Sequence, residues 1–471
     1  MTKRCLRFGL ACLLLVAWLA RPWPAIGSER PRRPPNVVLV LTDDQGFGDL
    51  GCHGNPLVRT PHLDRFASQS LELTQFYACP VCSPSRAALL TGRYPLRTGV
   101  VDVFGDACKM KSEEVTLAEA LAAAGYATGL FGKWHLGDAS PHRPAEQGFQ
   151  EVLSYRGIAP RPYFDPALLH NGQAVKIPGY CMDIFADHAI AFVRQNKDRP
   201  FFLYLATNLI HTPLEVAPAA VEPFRQAGLD EPTSKVWAML KSVDDNFGRL
   251  MAALAELELE QDTLVWFTSD NGPCTGSTTP QRHMAGLRGL KGTVYENGIR
   301  VPGFLRWRGR LPPGTNVDRI AALIDVMPTI LDACGVPKPP SVSWDGVSLL
   351  PLLENAAVAW PDRTLFFQWE GTPRPEKGMC FAVRNQRWKL VQAAGIADRQ
   401  AHIRRKYAEL CAAQGRGPLT IEGPSRLELF DIAADPGETR DLAGAHPEMV
   451  RPMQQAYDRW FDDVWTAWQQ P

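Results

Sequence analysis

Four short apolar runs, each ending abruptly in charged or polar residues, most narrowly limit how this chain folds. Asn36-Val-Val-Leu-Val-Leu41, Thr128-Gly-Leu-Phe131, Phe201-Phe-Leu-Tyr-Leu-Ala206 and Thr263-Leu-Val-Trp-Phe267 lack the alternation of a half-exposed strand and are short for helices. Continuous runs of this kind suit strands covered on both faces. Between them, Thr116 to Ala124, Asp183 to Gln195 and Val236 to Leu257 carry helical spacing. The alternation predicts an α/β domain with a largely parallel sheet. A Pro-rich stretch at Pro337 to Pro340 and turn-rich sequence after Leu353 mark a boundary. Beyond it, Met379 to Val383, Arg387 to Val391 and Leu427 to Phe430 read as strands, and Pro447 to Trp468 as a helix with Trp460, Val464 and Trp468 on one side. The expected division is a larger domain over residues 36–355 and a smaller C-terminal α+β domain over 356–471.

The N-terminus reads as a processing signal. Lys3, Arg4 and Arg7 precede an apolar run from Leu10 to Ala20, and Ala25 with Gly27 supply small residues for cleavage. A signal peptide over residues 1–27 is therefore expected, followed by a Pro/Arg linker over 28–35. No later stretch reaches the ~18 apolar residues that a spanning helix requires, so no membrane span is expected after cleavage. Export to a secreted or periplasmic location follows. The absence of any Asn-x-Ser/Thr acceptor suits a bacterial periplasm. Of the 11 cysteines, the nine after the signal would enter an oxidising compartment where disulfides are possible. Lys+Arg and Asp+Glu number 50 each, so no net charge is available to draw the chain to nucleic acid. With 45% hydrophobic and 21% charged residues the composition is globular.

The strand endings carry the chemistry. The first run meets Asp43-Asp44, the second Lys133-Trp134-His135, the third His211 and the fourth Asp270-Asn271. Taken singly, an Asp pair is ordinarily a solvated turn and a lone His a structural residue. Ligands of open α/β sheets bind outside the carboxyl ends of strands, so four such endings are expected to converge. Gly46-Phe-Gly-Asp-Leu-Gly51 matches a dinucleotide fingerprint, but the preceding carboxylates would repel a pyrophosphate and no helix is expected to follow. Cys79-Pro-Val-Cys82 could be a redox pair, and it lacks the second pair of a structural zinc site.

Extended, that segment reads Cys82-Ser-Pro-Ser-Arg86-Ala-Ala-Leu-Leu-Thr-Gly92-Arg93. Ser83 is expected to cap a helix with Pro84 in its first turn, leaving Cys82 at the positive helix terminus, where anions are stabilised. The stretch closely resembles the C-x-P-S-R and L-T-G-R signature of type I sulfatases, whose cysteine is oxidised after translation to formylglycine. Asn36 to Asp44 resembles that family's first metal strand, and Gly125 to His135 its second signature. Asp270-Asn271-Gly272, Gly289-Leu-Lys291 and Glu296 to Pro302 are similar to later segments, with Asn297 where Gly is usual.

The resemblance implies an alkaline phosphatase-like fold, with a large mixed, mostly parallel sheet flanked by helices. It implies a metal site of Asp43, Asp44, Asp270 and Asn271 beside Cys82; these oxygen donors suit Ca2+ ahead of Mg2+. It further implies that Arg86 holds the formylglycine and metal ligands and that Lys133 and Lys291 neutralise sulfate oxygens. His135 would assist sulfate elimination, and His211 with Lys291 would protonate the leaving oxygen. The implied partners are a sulfated small molecule or saccharide and a maturation enzyme that makes the formylglycine. Two alternatives stand beside this reading: a phosphonate or phosphate diester hydrolase of the same superfamily, and a noncatalytic protein with a Cys79–Cys82 disulfide. Loops at Asp138 to Asp183, Thr212 to Ser234 and Pro273 to Gly286 are expected to wall the pocket. Within the first, Arg143, Arg156 and Arg161 either meet a second anionic group or are solvated.

Overall fold

The run after Asn36 forms the central strand β1 (Asn36–Thr42), every residue of which is buried. In a strand, successive side chains leave opposite faces. Val37, Leu39 and Leu41 therefore enter one hydrophobic core and Val38 and Val40 another, one on each face of the sheet. This two-sided burial explains why the sequence shows a continuous apolar run. The computed structural model describes residues 33–393 and 426–469. The expected signal peptide and residues 28–32 of the linker lie outside these residues.

The strands that follow are β2 (Leu71–Leu73), β3 (Phe76–Tyr77), β4 (Ala127–Gly132), β5 (Glu151–Ser154), β6 (Ala167–His170), β7 (Gln173–Lys176), β8 (Phe201–Ala206), β9 (Thr263–Ser269), β10 (Gly303–Arg306) and β11 (Thr315–Val317). All but β3 join β1 in a 10-stranded sheet of order β11-β2-β10-β9-β1-β8-β4-β5-β6-β7. From β9 to β5 the pairing is parallel, and antiparallel pairs extend the sheet on both sides. The expected large mixed, mostly parallel sheet is the one observed. Its four central strands are those read from the apolar runs, so their polar endings leave the same edge.

Helices cover both faces. Cys82–Thr91, Leu117–Ala123 and Val326–Ala333 contribute to one core; Pro61–Ser68, Cys181–Gln195 and Glu231–Glu256 contribute to the other. After the short strand β12 (Ala321–Ala322), a separate antiparallel sheet runs β13 (Leu365–Gln368), β14 (Phe381–Arg384), β15 (Trp388–Gln392) and β16 (Leu427–Asp431). The helix Pro447–Gln469 packs against it through Tyr457, Trp460, Phe461 and Val464. Trp460 and Val464 are buried as their helical spacing implies, and Trp468 is half-buried. Lys389 of β15 pairs with Glu296 at 3.0 Å and Glu438 at 2.9 Å, a fully buried ion cluster that ties this sheet to the short helix Glu296–Ile299, just before β10.

Just after β13, Glu370 is 7% exposed and accepts from Gln368 Nε2 at 2.6 Å and from the Glu376 amide at 2.8 Å. Burial pushes its carboxyl up to about 7, above the ordinary 4.5. A carboxyl raised on folding favours the folded state at acid pH, and that contribution is lost as pH rises through the folded value. The melting temperature of the native protein should therefore fall relative to Glu370→Gln between about pH 5 and about pH 8. Parallel melting curves against pH would contradict this.

Candidate active site

Two left-handed residues shape the site. β1 ends at Thr42, and Asp44 takes φ 62°. In a regular strand Asp43 and Asp44 would diverge. The turn instead brings one ligand atom each from Asp43, Asp44 and His211 within 4.8 Å of one another. β9 delivers Asp270, whose amide donates to Thr42 O at 3.1 Å and whose Oδ1 accepts from the Asp44 amide at 3.2 Å. At the end of β4, Gly132 has φ 115°, and a Cβ there would lie 2.0 Å from Ala206 O. Only glycine permits this approach, which lets the Lys133 amide bond Ala206 O at 2.6 Å. His135 is the second left-handed residue, also at φ 62°. A non-glycine residue in that region is costly and concentrates at functional sites.

The side chains meet as a buried lattice of charges. Arg86 donates through Nη2 to Asp270 Oδ2 at 2.7 Å and through Nη1 to Lys133 O at 3.0 Å, and lies 3.7 Å from Asp43. Lys133 Nζ bonds Asp43 Oδ2 and Lys291 Nζ bonds Asp44 Oδ1, both at 2.5 Å. His211 Nε2 lies 3.8 Å from Asp44 Oδ2. Burial alone would raise the carboxyls of Asp43 and Asp44. Lys133 and His211 at the first, and Lys291 and His211 at the second, overcome it and hold both below the usual carboxylate range. Asp270 goes the other way: burial and the charge of Asp43 push it up to about 6 despite Arg86. Burial also lowers His211, and the pull of Asp44 does not cancel it.

Cys82 opens the helix Cys82–Thr91, which ends at Gly92 with φ 69°. The expected Ser83 cap is not formed. The helix begins two residues earlier with Val81 as its cap, because the Ser83 hydroxyl donates at 2.8 Å to the buried carbonyl of His135. That bond joins the helix to the segment after β4. Cys82 is 1% exposed, and its Sγ lies 3.4 Å from His135 Nδ1. His135 Nε2 lies 3.0 Å from the Val103 carbonyl, which can only accept, so Nε2 carries the proton and Nδ1 presents its lone pair to position 82. Burial, then Lys133 and Arg86, keep this imidazole far below its ordinary value and neutral. Burial likewise pushes the Cys82 thiol up, although Lys133 and Lys291 pull it down. Cys79 and Cys82 are both free thiols, with the Cys79 amide donating to Ser85 Oγ at 3.0 Å.

The donor set fits a hard cation. Asp43 Oδ1, Asp44 Oδ2 and Asn271 Oδ1 are buried oxygens without a hydrogen-bond partner, while the second oxygen of each aspartate is held by a lysine. Asn271 Nδ2 donates to Asp44 Oδ1 at 2.8 Å, which fixes the amide oxygen as the group left over. Asp43, Asp270 and Cys82 also bring one atom each within 4.8 Å. In a further set, His62, Asp244 and Asp245, only His62 is exposed, and the two oxygens of the buried Asp244 accept from the His62 and Leu63 amides.

All ten residues singled out in the sequence thus lie in one network or touch it. Others were not legible. Arg282 is buried, donates to the Asp44 carbonyl at 3.1 Å and to Asp49 Oδ1 at 3.0 Å, and so braces the left-handed turn from beneath. The Tyr163 hydroxyl donates to His211 O at 2.9 Å, and Val103 orients His135 through a backbone carbonyl. Asn297 serves a turn: its Nδ2 donates to Gly289 O at 3.0 Å, near the loop that carries Lys291.

A family profile described as "Sulfatase" matches residues 35–336, and one described as "N-sulphoglucosamine sulphohydrolase, C-terminal" matches residues 290–402. Human arylsulfatase A is 35% identical over 466 residues, covering 90% of this chain and 87% of that protein. Human N-acetylgalactosamine-6-sulfatase is 30% identical over 473 residues, covering 90% and 84%. A crystal structure of Ps i-CgsB in complex with k-i-k-neocarrahexaose superposes with a TM-score of 0.78 at 27% identity, covering 93% of this chain and 94% of that one. The phosphonate monoester hydrolase SpPMH from Silicibacter pomeroyi shares the fold at 22% identity and a TM-score of 0.60, covering 91% and 96%. The chain belongs to the sulfatase family.

Proposed function

We propose that this chain hydrolyses sulfate monoesters of an aryl alcohol or a carbohydrate, with a formylglycine hydrate made from Cys82 as nucleophile. The observation that carries this reading is the placement of Cys82 Sγ within 4.8 Å of carboxylate oxygens of both Asp43 and Asp270, at the centre of the charge lattice. Attack at sulfur requires that the sulfonate oxygens be neutralised first. Asp43, Asp44, Asp270 and Asn271 would hold a divalent ion, Ca2+ ahead of Mg2+ because every donor is oxygen. Bound there, the ion would supply Lewis-acid stabilisation and lower the proton affinity of the attacking hydroxyl.

The protein groups then divide the work. Arg86 holds Asp270 and the Lys133 carbonyl in place, and Lys133 and Lys291 face the sulfate oxygens. His211, with Lys291, donates a proton to the leaving alcohol oxygen. The hydrate offers two geminal hydroxyls, one to take the sulfate and one to expel it by C–O cleavage. His135 Nδ1, aimed at position 82, accepts the proton of the second hydroxyl, and the aldehyde is restored without water attacking sulfur. The raised Cys82 thiol favours this reading over direct thiolate chemistry. We place the catalytic domain at 36–355 and the C-terminal subdomain at 356–471, after a signal peptide cleaved near Gly27 for periplasmic or secreted export. Among the described residues no helix is long and apolar enough to cross a membrane.

Cys82→Ala should abolish turnover of an aryl sulfate while leaving the melting temperature within a few degrees, because the side chain serves chemistry; full activity in that variant would refute the assignment. Asp270→Ala should lose bound metal by elemental analysis and activity together, by at least about a hundredfold. Retention of stoichiometric metal with full activity would remove Asp270 from the site.

A further inference from the structure

A cavity of about 220 Å3 opens at the carboxyl ends of β4 and β5. Trp134, Asp138, Arg143, Tyr155, Arg156 and Asn171 are among the residues that line it. None of the ten site residues lines it, but its wall is continuous in the chain with theirs. Trp134 stands between Lys133 and His135 in the chain, and Ser154 of β5 is in register with Gly132 of β4, so Tyr155 leaves the sheet beside Lys133. Tyr155 is 4% exposed and its hydroxyl has no hydrogen-bond partner. Burial disfavours ionisation of this phenol, and the charge of Asp43 adds to that effect, so the hydroxyl stays protonated and able to donate.

Arg143 and Arg156 are exposed, and neither guanidinium has an ion pair among the described residues. The acids nearby are engaged with backbone: Asp138 Oδ2 accepts from the Gly157 amide at 2.9 Å and Glu146 Oε2 from the Arg143 amide at 3.1 Å. The charge of Arg143 reaches Glu146 without forming an ion pair, and Asn171 is engaged by the Val152 amide and by Glu151. Two exposed guanidiniums without ion pairs and an unpartnered hydroxyl around a cavity smaller than a drug-sized pocket of ~300 Å3 suit one polar, anionic ring substituent. Arg161 is not part of this wall.

We propose that this cavity binds a second anionic group, a carboxylate or sulfate, on the saccharide that bears the scissile ester, with Arg143 and Arg156 as its partners. The inference rests on the sulfatase reading above and narrows the substrate to a polyanionic saccharide. Exposed arginines are replaceable without loss of the fold, so kinetics can be compared directly.

The test uses the full mature chain with three substrates: 4-nitrophenyl sulfate, a disulfated disaccharide, and a monosulfated disaccharide containing a uronate. The native protein should prefer at least one disaccharide over 4-nitrophenyl sulfate, which carries no second anion. Arg143→Ala and Arg156→Ala should each lower kcat/KM on it by about tenfold, mainly through KM, while leaving 4-nitrophenyl sulfate turnover unchanged. A response to the disulfated substrate alone assigns the cavity to sulfate, and a response to the uronate alone assigns it to carboxylate. Equal losses on all three substrates, no loss on any, or no preference for a second anion overturns the subsite while leaving the sulfatase reading intact. Turnover of none of the three by the native protein overturns the sulfatase reading itself.

Discussion

The structure depends on a buried exchange of charge in which Asp43, Asp44 and Asp270 face Arg86, Lys133 and Lys291. Three carboxylates and three cations cancel, yet each carboxylate cluster is fully enclosed, and a lone buried charge would cost several kcal/mol. The cancellation lets such a site exist inside a folded protein. It also means that the protein's own charges offer little net attraction to an anion. A divalent ion on the leftover oxygens of Asp43, Asp44 and Asn271 would tip the balance positive and draw a sulfate ester in. Burial and the neighbouring charge of Asp43 raise the Asp270 carboxyl even against Arg86, Lys133 and Lys291.

The fold produces this exchange by ending four parallel strands at one edge. β1 and β9 bring the acids, β4 brings Lys133 and His135, and the helix that begins at Cys82 supplies position 82 and Arg86 one turn later. The left-handed Asp44 and His135, together with Gly132, convert strand ends that would diverge into groups that face one another. Arg282 and Asp49 stabilise the first of these turns from below, and Ser83 and Val103 stabilise the second. The strained backbone is thus held by bonds from segments far away in sequence, as strain at a functional site must be.

Much of this was legible in the sequence because two-sided burial leaves continuous apolar runs and because the polar residues follow those runs directly. The short outer strands were not. β2, β10 and β11 have only three or four residues each, too few for a pattern to stand out. Arg282 lies 238 residues from Asp44, and nothing local distinguishes it from a solvated arginine. Val103 acts through its backbone, which a side-chain reading does not register. The misplaced helix cap has the same origin: Ser83 is a good capping residue by local rules, but a carbonyl contributed by a different segment claims its hydroxyl.

The central claim is that the side chain at position 82 is chemically altered among these charges, and mass analysis of the peptide containing it addresses that claim most directly. In active protein, residue 82 should be lighter than cysteine by about 18 Da, the sulfur having given way to an aldehyde oxygen. Fully active protein whose residue 82 is unmodified cysteine, or is joined to Cys79, would contradict the account.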